Sequence, residues 1–504
     1  MRVYRHALVM KRVNGTIALS LVIAISFFGC KEGKPDLSNA FETGILPKVF
    51  PEYDGVTVPW NIAPLNFKYL DSCRYLYVNV SSSYSEMDYF FDSNKVKFSE
   101  KDWTNFLSNS REDSVFITVY SRNGSKWTKH NPIRFYVSEH RIDKLLVYRR
   151  IMPGYQTWNT MGVYQRELSS FKEKLILDSE VMPGTCMNCH NFRDNKADSW
   201  MLHLRENYGG TIIFSDGDLK KIQTKTDHTF GSAGFPAWHP SGNYIAFSVN
   251  QVTQIFHAIG DVRAHALDMK SDMVIYNVDR NEFFTSSVLS SPNAYEAFPC
   301  FSPDGERLYF VSSPSGKLPE DQEEMKYSLC SVSFDEYKGI IGNDVDTIIS
   351  ARTLGKSVSL PRVSPDGKYI MLTTLDYGNF PAYNPEADLY IYDLTKRELV
   401  ELKAFNSDNV ESWHSWSSNG HWVVFSSRRR DGLFMDAWIG YVDEKGAPQK
   451  PFLLPQKDPD FYDSFLFSFN VPEFLNEPFE ISPYQIANVA TKSKGQQAEF
   501  ENSH

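Results

Sequence analysis

The chain has 504 residues, 42% hydrophobic and 14% aromatic, with 28 Gly and 26 Pro. That mixture suits short strands joined by turns better than helix bundles, and it excludes a wholly disordered protein. The formal charge of −10 argues against nucleic acid as a partner, because phosphate binding needs a cationic surface.

The N-terminus reads as an address. Arg2, Arg5, Lys11 and Arg12 precede an apolar run from Ile17 to Phe28, and Gly29 and Cys30 follow. This is the layout of a signal peptide over residues 1–29. Phe27-Phe28-Gly29-Cys30 resembles a lipobox of the looser kind found in Bacteroidota, since a smaller residue usually stands where Phe28 is. The resemblance implies a lipid on Cys30 and a chain exported and held on a membrane, with the outer membrane expected. An uncleaved anchor is the competing reading, and the run is short for a bilayer. Without the four positive charges of the leader the formal charge of −10 becomes about −14.

After a linker over 30–40, residues 41–148 alternate with period two. Leu76 to Val80, Val115 to Val119 and Ile133 to Val137 are the clearest strands. Short strands between polar turns predict a β-sandwich of immunoglobulin-like kind, though no Cys-Trp-Cys pattern accompanies it. Residues 149–205 are expected to form a partly helical connector, with Tyr164, Leu168, Phe171 and Leu175 as a helical stripe.

The connector holds the most informative residues. Cys186-Met187-Asn188-Cys189-His190 is the C-x-x-C-H pattern of c-type haem attachment. Two thiols three residues apart reach the two vinyl groups of one haem, and the adjacent His190 becomes the proximal iron ligand. One covalent haem c is therefore expected, with Cys186 and Cys189 as thioethers. In an extended segment Met201, His203 and Arg205 share one face. His203 is the first choice as distal ligand, Met201 the alternative, and Arg205 a contact for a haem propionate. Tyr148, Arg149, Tyr155 and Arg166 are further candidates near the propionates. Zinc on Cys186, Cys189, His190 and His203 competes, but adjacent Cys189 and His190 rarely face one tetrahedral ion. A redox disulfide competes too, without a thioredoxin-like βαβ pattern to support it. The six cysteines, less Cys30 and this pair, leave Cys73, Cys300 and Cys330. That odd number cannot form a complete disulfide framework, although Cys300 and Cys330 have the option of pairing.

Downstream the chain repeats. Trp238-His239-Pro240-Ser241-Gly242, Phe301-Ser302-Pro303-Asp304-Gly305, Val363-Ser364-Pro365-Asp366-Gly367 and Trp416-Ser417-Ser418-Asn419-Gly420 each sit between two apolar strands. Pro fits the second position of a type I turn and Gly takes the left-handed end. Third strands begin at Met273, Leu329, Leu389 and Trp438, and fourth strands fall near 283–289, 347–353, 399–404 and 451–455. Four-stranded units in tandem predict a β-propeller of five or six blades over 206–485. An incomplete unit holds Thr211 to Phe214 and Leu219 to Thr224, and its missing strands are sought in the stretch from Ser464 to Val471. Residues 486–504 are expected to be a disordered tail. Arg428-Arg429-Arg430 is read as a solvated loop, and His239, His257, His265 and His414 as blade residues rather than ligands.

The Ser-Pro-Asp-Gly units resemble the TolB family of WD-like propeller repeats over about residues 205–475. The order of leader, sandwich, CxxCH connector and propeller resembles exported Bacteroidota haem-c propeller lipoproteins. That resemblance implies architecture more than reaction. The chain has no G-x-S-x-G, H-E-x-x-H or Walker loop. The expected function is a membrane-anchored mono-haem electron carrier with a propeller docking platform and an envelope redox or structural protein as partner. Two alternatives stand beside it. One is an open-iron haem enzyme or sensor for peroxide or a small gas. The other is an envelope scaffold with a structural haem, zinc or no cofactor.

Overall fold

The computed structural model describes residues 34–152, 160–257 and 264–501. The leader over 1–29, the lipid site Cys30 and Tyr155 lie outside the described residues. The chain is mainly β, in two parts that share one apolar core.

The N-terminal part is a two-sheet β structure. Its broad sheet runs through Tyr75–Ser81, Asp113–Arg122 and Ile133–Ser138, the three strands legible in the sequence, with Glu86–Phe91 on one edge. A small sheet pairs Val49–Phe50, Phe67–Tyr69 and Lys95–Val96. Leu76, Val78 and Val80 point inward with Val115, Ile117 and Val119, as period-two strands require. The helix Glu100–Asn109, capped by Ser99, buries Trp103, Phe106 and Leu107 in the same core.

Six antiparallel sheets follow, and they close into a six-bladed propeller. From inside outward, blade 2 is Thr185–Phe192, Trp200–Glu206, Gly210–Ser215 and Asp218–Gln223. The inner strands of blades 3 to 6 are Ala233–Trp238, Ala294–Phe301, Ser357–Val363 and Glu411–Trp416. Blade 1 joins the two ends of the ring. Its inner strand Ser468–Leu475 comes from late in the chain and pairs with Leu145–Ile151, then Met161–Glu167 and Glu173–Asp178. Each inner strand touches the next all the way round, and blade 1 closes on blades 2 and 6. Phe469 and Phe474 of the closing strand are fully buried.

This corrects three expectations. Residues 149–205 are not a connector but most of blades 1 and 2, so the propeller begins at Leu145. Tyr164, Leu168, Phe171 and Leu175 mimic a helical stripe because two adjacent strands and their turn happen to place them at that spacing. The strand from Ser468 completes blade 1, whereas the unit with Thr211 to Phe214 finds its missing strands in 185–206. Nor is 486–504 simply a tail. Pro483–Lys492 is a helix with a Ser482/Gln485 capping box. Gln496–Gln497 and Glu499–Phe500 then extend the outer edges of blades 2 and 3 in parallel, satisfying otherwise open sheet edges.

The N-terminal part packs on blade 6 and the closure. Trp422, Ile439 and Phe452 belong to the same core as Trp103 and Phe135. Asn66 Nδ2 donates to the carbonyls of Gln456 and Lys457, and its Oδ1 accepts from Phe98 N. Leu146, Tyr148 and Phe474 of blade 1 belong to the same core, so the N-terminal part seats both blade 6 and the ring closure.

Candidate functional site: the central cavity and the CxxCH strand

Each inner strand breaks register at the same height. The shifts fall at Met187/His190, Gly234/Ala237, Ala297/Cys300, Ser359/Arg362 and Ser412/Ser415, and between the blade 1 strands near Val471. These are β-bulges, which re-aim side chains. In five blades the first bulged residue is left-handed: Phe235, Phe298, Leu360, Trp413 and Val471, with φ between 42° and 53°. Proline follows it in four of them, as Pro236, Pro299, Pro361 and Pro472. In blade 2 the bulge is Asn188-Cys189. The CxxCH motif thus replaces the apolar-proline pair of the repeat, and His190 takes the next position, which Cys300 holds in blade 4 and Arg362 in blade 5.

The bulges surround a central cavity of about 590 Å³. Cys189 and His190 line it, with Arg149, Arg205, Arg362 and Arg428 among the other wall residues. Cys189 is buried, and its Sγ accepts from Phe235 N at 3.4 Å. Cys186 is half-buried and pairs with Arg205 across the ladder. Burial pushes its thiol above the ordinary cysteine range, while Arg149 and Arg205 pull it down. Both thiols are free. Arg149 fixes the motif from blade 1, with Nη1 donating to Met187 O at 2.8 Å and to Asn188 Oδ1 at 2.9 Å, and Nη2 to Asn470 Oδ1.

His190 is 5% exposed, and neither ring nitrogen makes a hydrogen bond. Burial, aided by the Arg149 charge, pushes its pKa down to about 3, so the imidazole is neutral. Glu473 Oε2 lies 3.5 Å from its Nε2, and Glu473 Oε1 accepts from Asn191 Nδ2 at 2.7 Å. Burial raises the Glu473 carboxyl to about 7 against the pull of Arg362 and Asn191. Below this waist a second cavity of about 410 Å³ holds Glu473, Cys300 and Trp416, and Arg362 borders both cavities.

Met201, His203 and Arg205 do share one face of an extended strand, but that face turns them to different places. Arg205 lines the central cavity. Met201 is sealed in the apolar core between blades 2 and 3 with Ile213 and Trp238. His203 is fully buried, with Nδ1 bonded to Thr211 Oγ1 at 2.9 Å, and is not part of the cavity wall. Neither expected distal ligand therefore stands at the cavity. Among the described residues no group of three or more His, Cys, Asp or Glu is placed to hold a metal ion, so the zinc set of Cys186, Cys189, His190 and His203 is not assembled. Cys300 and Cys330 remain free thiols.

Of the earlier propionate candidates, Arg149 reaches the cavity, while Arg166 donates to Pro455 O and Tyr148 to Glu173. The sequence also passed over Met435, a buried thioether on the wall, and Arg428. The arginine triplet is no solvated loop. Arg428 lies over the Tyr383 ring at 4.3 Å, Arg429 pairs with Glu411 at 3.0 Å and Arg430 with Asp436 at 2.6 Å. Only the geometry of the strand end at Ser427 turns this cluster inward.

No family model and no curated protein matches the chain. Several solved propeller proteins are distantly similar. Prolyl oligopeptidase B from Galerina marginata is 12% identical, covering 67% of this chain and 42% of its own, with a TM-score of 0.34. The periplasmic gluconolactonase of Pseudomonas aeruginosa is 11% identical, covering 64% and 99%, with a TM-score of 0.32. Dipeptidyl peptidase 4 of Porphyromonas gingivalis is 11% identical, covering 81% and 59%, with a TM-score of 0.28. The chain thus spans about two-fifths of the length of that oligopeptidase. The six-bladed ring itself rests on the strand ladders and the closed circuit of inner strands.

Proposed function

We propose that this protein is an exported, membrane-anchored electron carrier holding one covalent haem c at the mouth of its propeller. The observation that carries the reading is the cavity wall itself. Cys189 and a buried, neutral His190 stand on one cavity, with Cys186 on the same strand and guanidinium groups beside them. These residues fit the group. Cys189 on the wall and Cys186, which packs against the core between blades 1 and 2, would supply the thiols for two thioether bonds, and His190 would supply an imidazole nitrogen for iron. Arg205, beside Cys186, offers charge to a propionate, and Phe235 and Trp413 supply apolar walls. Covalent haem contributes one-electron exchange in a shielded setting. Arg149 holds the motif strand in place, and the bulge turns Cys189 and His190 toward the channel.

The anchor reading rests on the leader and Cys30; no helix among the described residues is long and apolar enough to cross a membrane. An envelope redox protein is the expected partner, because a single haem does not form a long wire. Met435, a buried thioether on the cavity wall, would be the candidate to bind iron in place of His203 and Met201. The open-iron alternative is favoured by one observation: His203 and Met201 both stand away from the cavity.

The test is an absorption spectrum of protein made with haem-c maturation, oxidised and dithionite-reduced. Reduced α and β bands that survive denaturation support covalent haem. A low-spin spectrum indifferent to carbon monoxide supports the carrier, with loss of that signature in Met435→Ala. A shift on adding carbon monoxide supports the open-iron enzyme or sensor. A spectrum without haem bands leaves the envelope scaffold.

A further inference from the structure

The central cavity carries a charge imbalance that the CxxCH strand does not explain. Among the described residues its wall holds four arginines, 149, 205, 362 and 428, and no Asp or Glu, in a chain of formal charge −10. The arginine ion pairs among the described residues belong to Arg150, Arg193, Arg307, Arg429 and Arg430, and none to these four. A buried guanidinium without a counter-ion is strongly unfavourable unless an anion compensates it.

The four differ in what they already hold. Arg149 is committed to the inner strands of blades 1 and 2. Arg205 is exposed and stands beside Cys186. Arg362 comes from the inner strand of blade 5 and Arg428 from the end of a blade 6 strand. Arg428 is 7% exposed, and its Nε makes no hydrogen bond. Arg362 gives a long 3.5 Å contact to Pro361 O and also acts on the Cys300 thiol and the Glu473 carboxyl on the side of the second cavity. Phe380, Tyr383 and Trp413 add aromatic surface to the same part of the wall.

We propose that the blade 5 and 6 wall of the central cavity, built from Arg362, Arg428, Phe380, Tyr383 and Trp413, is a binding subsite for a small aromatic carboxylate. A guanidinium fork matches a carboxylate through two parallel hydrogen bonds. The aromatic side chains take the ring of the ligand. The cavity volume of about 590 Å³ is within the range of small-molecule pockets. Arg205 and Met152, exposed on the same wall, mark where it meets solvent. Arg362, Arg428, Phe380 and Tyr383 are not used by the haem reading, and the subsite shares only the Trp413 wall with it.

The probe is 2-naphthoate, titrated calorimetrically into the full-length protein and into the Cys186→Ala/Cys189→Ala variant, which has no thiol for haem. One-to-one binding to both is expected. The neutral analogue 2-naphthalenemethanol is expected to bind at least about tenfold more weakly, since a hydrogen bond to a charged group is lost. Arg428→Gln and Arg362→Gln are each expected to weaken naphthoate by a similar factor, and thermal unfolding reports whether each remains folded. The comparison of charged with neutral probe needs no substitution. Equal affinity for the two probes, or no binding of naphthoate, overturns the proposal. Binding confined to the haem-free variant also overturns it, because the arginines then serve the tethered group. Haem bands in the unmodified protein report separately on the electron-carrier reading.

Discussion

Blades 2 and 4 share a backbone and differ in what it carries. Both inner strands bulge at the same height, and both place a cysteine within reach of the channel: Cys189 and then His190 in blade 2, Cys300 in blade 4. In blade 4 the bulge is Phe298-Pro299, with Phe298 at φ 53°, and it serves packing against Phe235 and Phe380. In blade 2 neither Asn188 nor Cys189 is left-handed, and the strand is pinned by Arg149 instead. A repeated scaffold thus fixes where a side chain points, and one blade has exchanged packing residues for reactive ones.

The sharpest way to break this comparison is to remove the cysteines on each side. Cys186→Ala/Cys189→Ala is expected to abolish haem that survives denaturing electrophoresis, while Cys300→Ala leaves it at the level of the unmodified chain. Haem staining after electrophoresis reads both, and covalent haem in the double variant sinks the attachment claim.

The closing strand is the next test, because it sets the position of blade 1 against blade 2. Phe474 is fully buried in the core shared with the N-terminal part, so Phe474→Ala should cost about 3–5 kcal/mol by denaturant unfolding. Little change would mean that the ring is held elsewhere.

Blade 6 offers a third, intermediate case. His414 stands where Cys189 and the prolines stand, is 3% exposed, and is pushed down to about 3 by burial and the Arg362 charge. Its folded pKa is below the unfolded value, so the unfolded state binds the extra proton. Its stabilising share is complete above the ordinary histidine value and is lost as pH falls from about 6.5 toward 3, at about 1.4 kcal/mol per pH unit. Between pH 7 and 5 this amounts to about 2 kcal/mol. His414→Pro places there the residue of four other bulges and is expected to make that acid limb shallower in thermal unfolding, with His190 and His203, also pushed down to about 3 by burial, carrying the remainder. An unchanged limb would assign the acid sensitivity to other groups.

The smallest effect is expected at the outer rim. Deleting residues 495–504 removes the parallel edge strands of blades 2 and 3, which are largely exposed. A loss of under about 1 kcal/mol is expected, with the haem signature unchanged. A larger loss would show that the rim, and not the inner strands alone, holds blade 2.

Much of this was legible in the chain. Four repeated turns, two of them Pro-Asp-Gly, located four blades, because their left-handed glycines, 242, 305, 367 and 420, have a fixed chemistry. The third and fourth strands followed from their spacing. The two outer strands of blade 2 were legible, and its inner two stayed hidden because their turn lacks that signature: Asp194 and Asn195, at φ 50° and 57°, do the work of glycine. Blade 1 stayed hidden because its inner strand and its other three are separated by nearly the whole ring, and period-two residues in 161–178 happen also to match a helical spacing.

The sequence by itself determined the local chemistry: a C-x-x-C-H run, period-two strands and repeated turns, all properties of neighbouring residues. It also determined that Met201, His203 and Arg205 share a strand face, since alternation is built into extended backbone. Only the tertiary structure decided which of them reach the channel. That outcome depends on how blades 2 and 3 pack, which seals Met201 in the apolar core and leaves Arg205 at the wall. It likewise brought Arg149, Arg362 and Arg428 to one cavity, because ring closure through Ser468–Leu475 unites segments far apart in the chain.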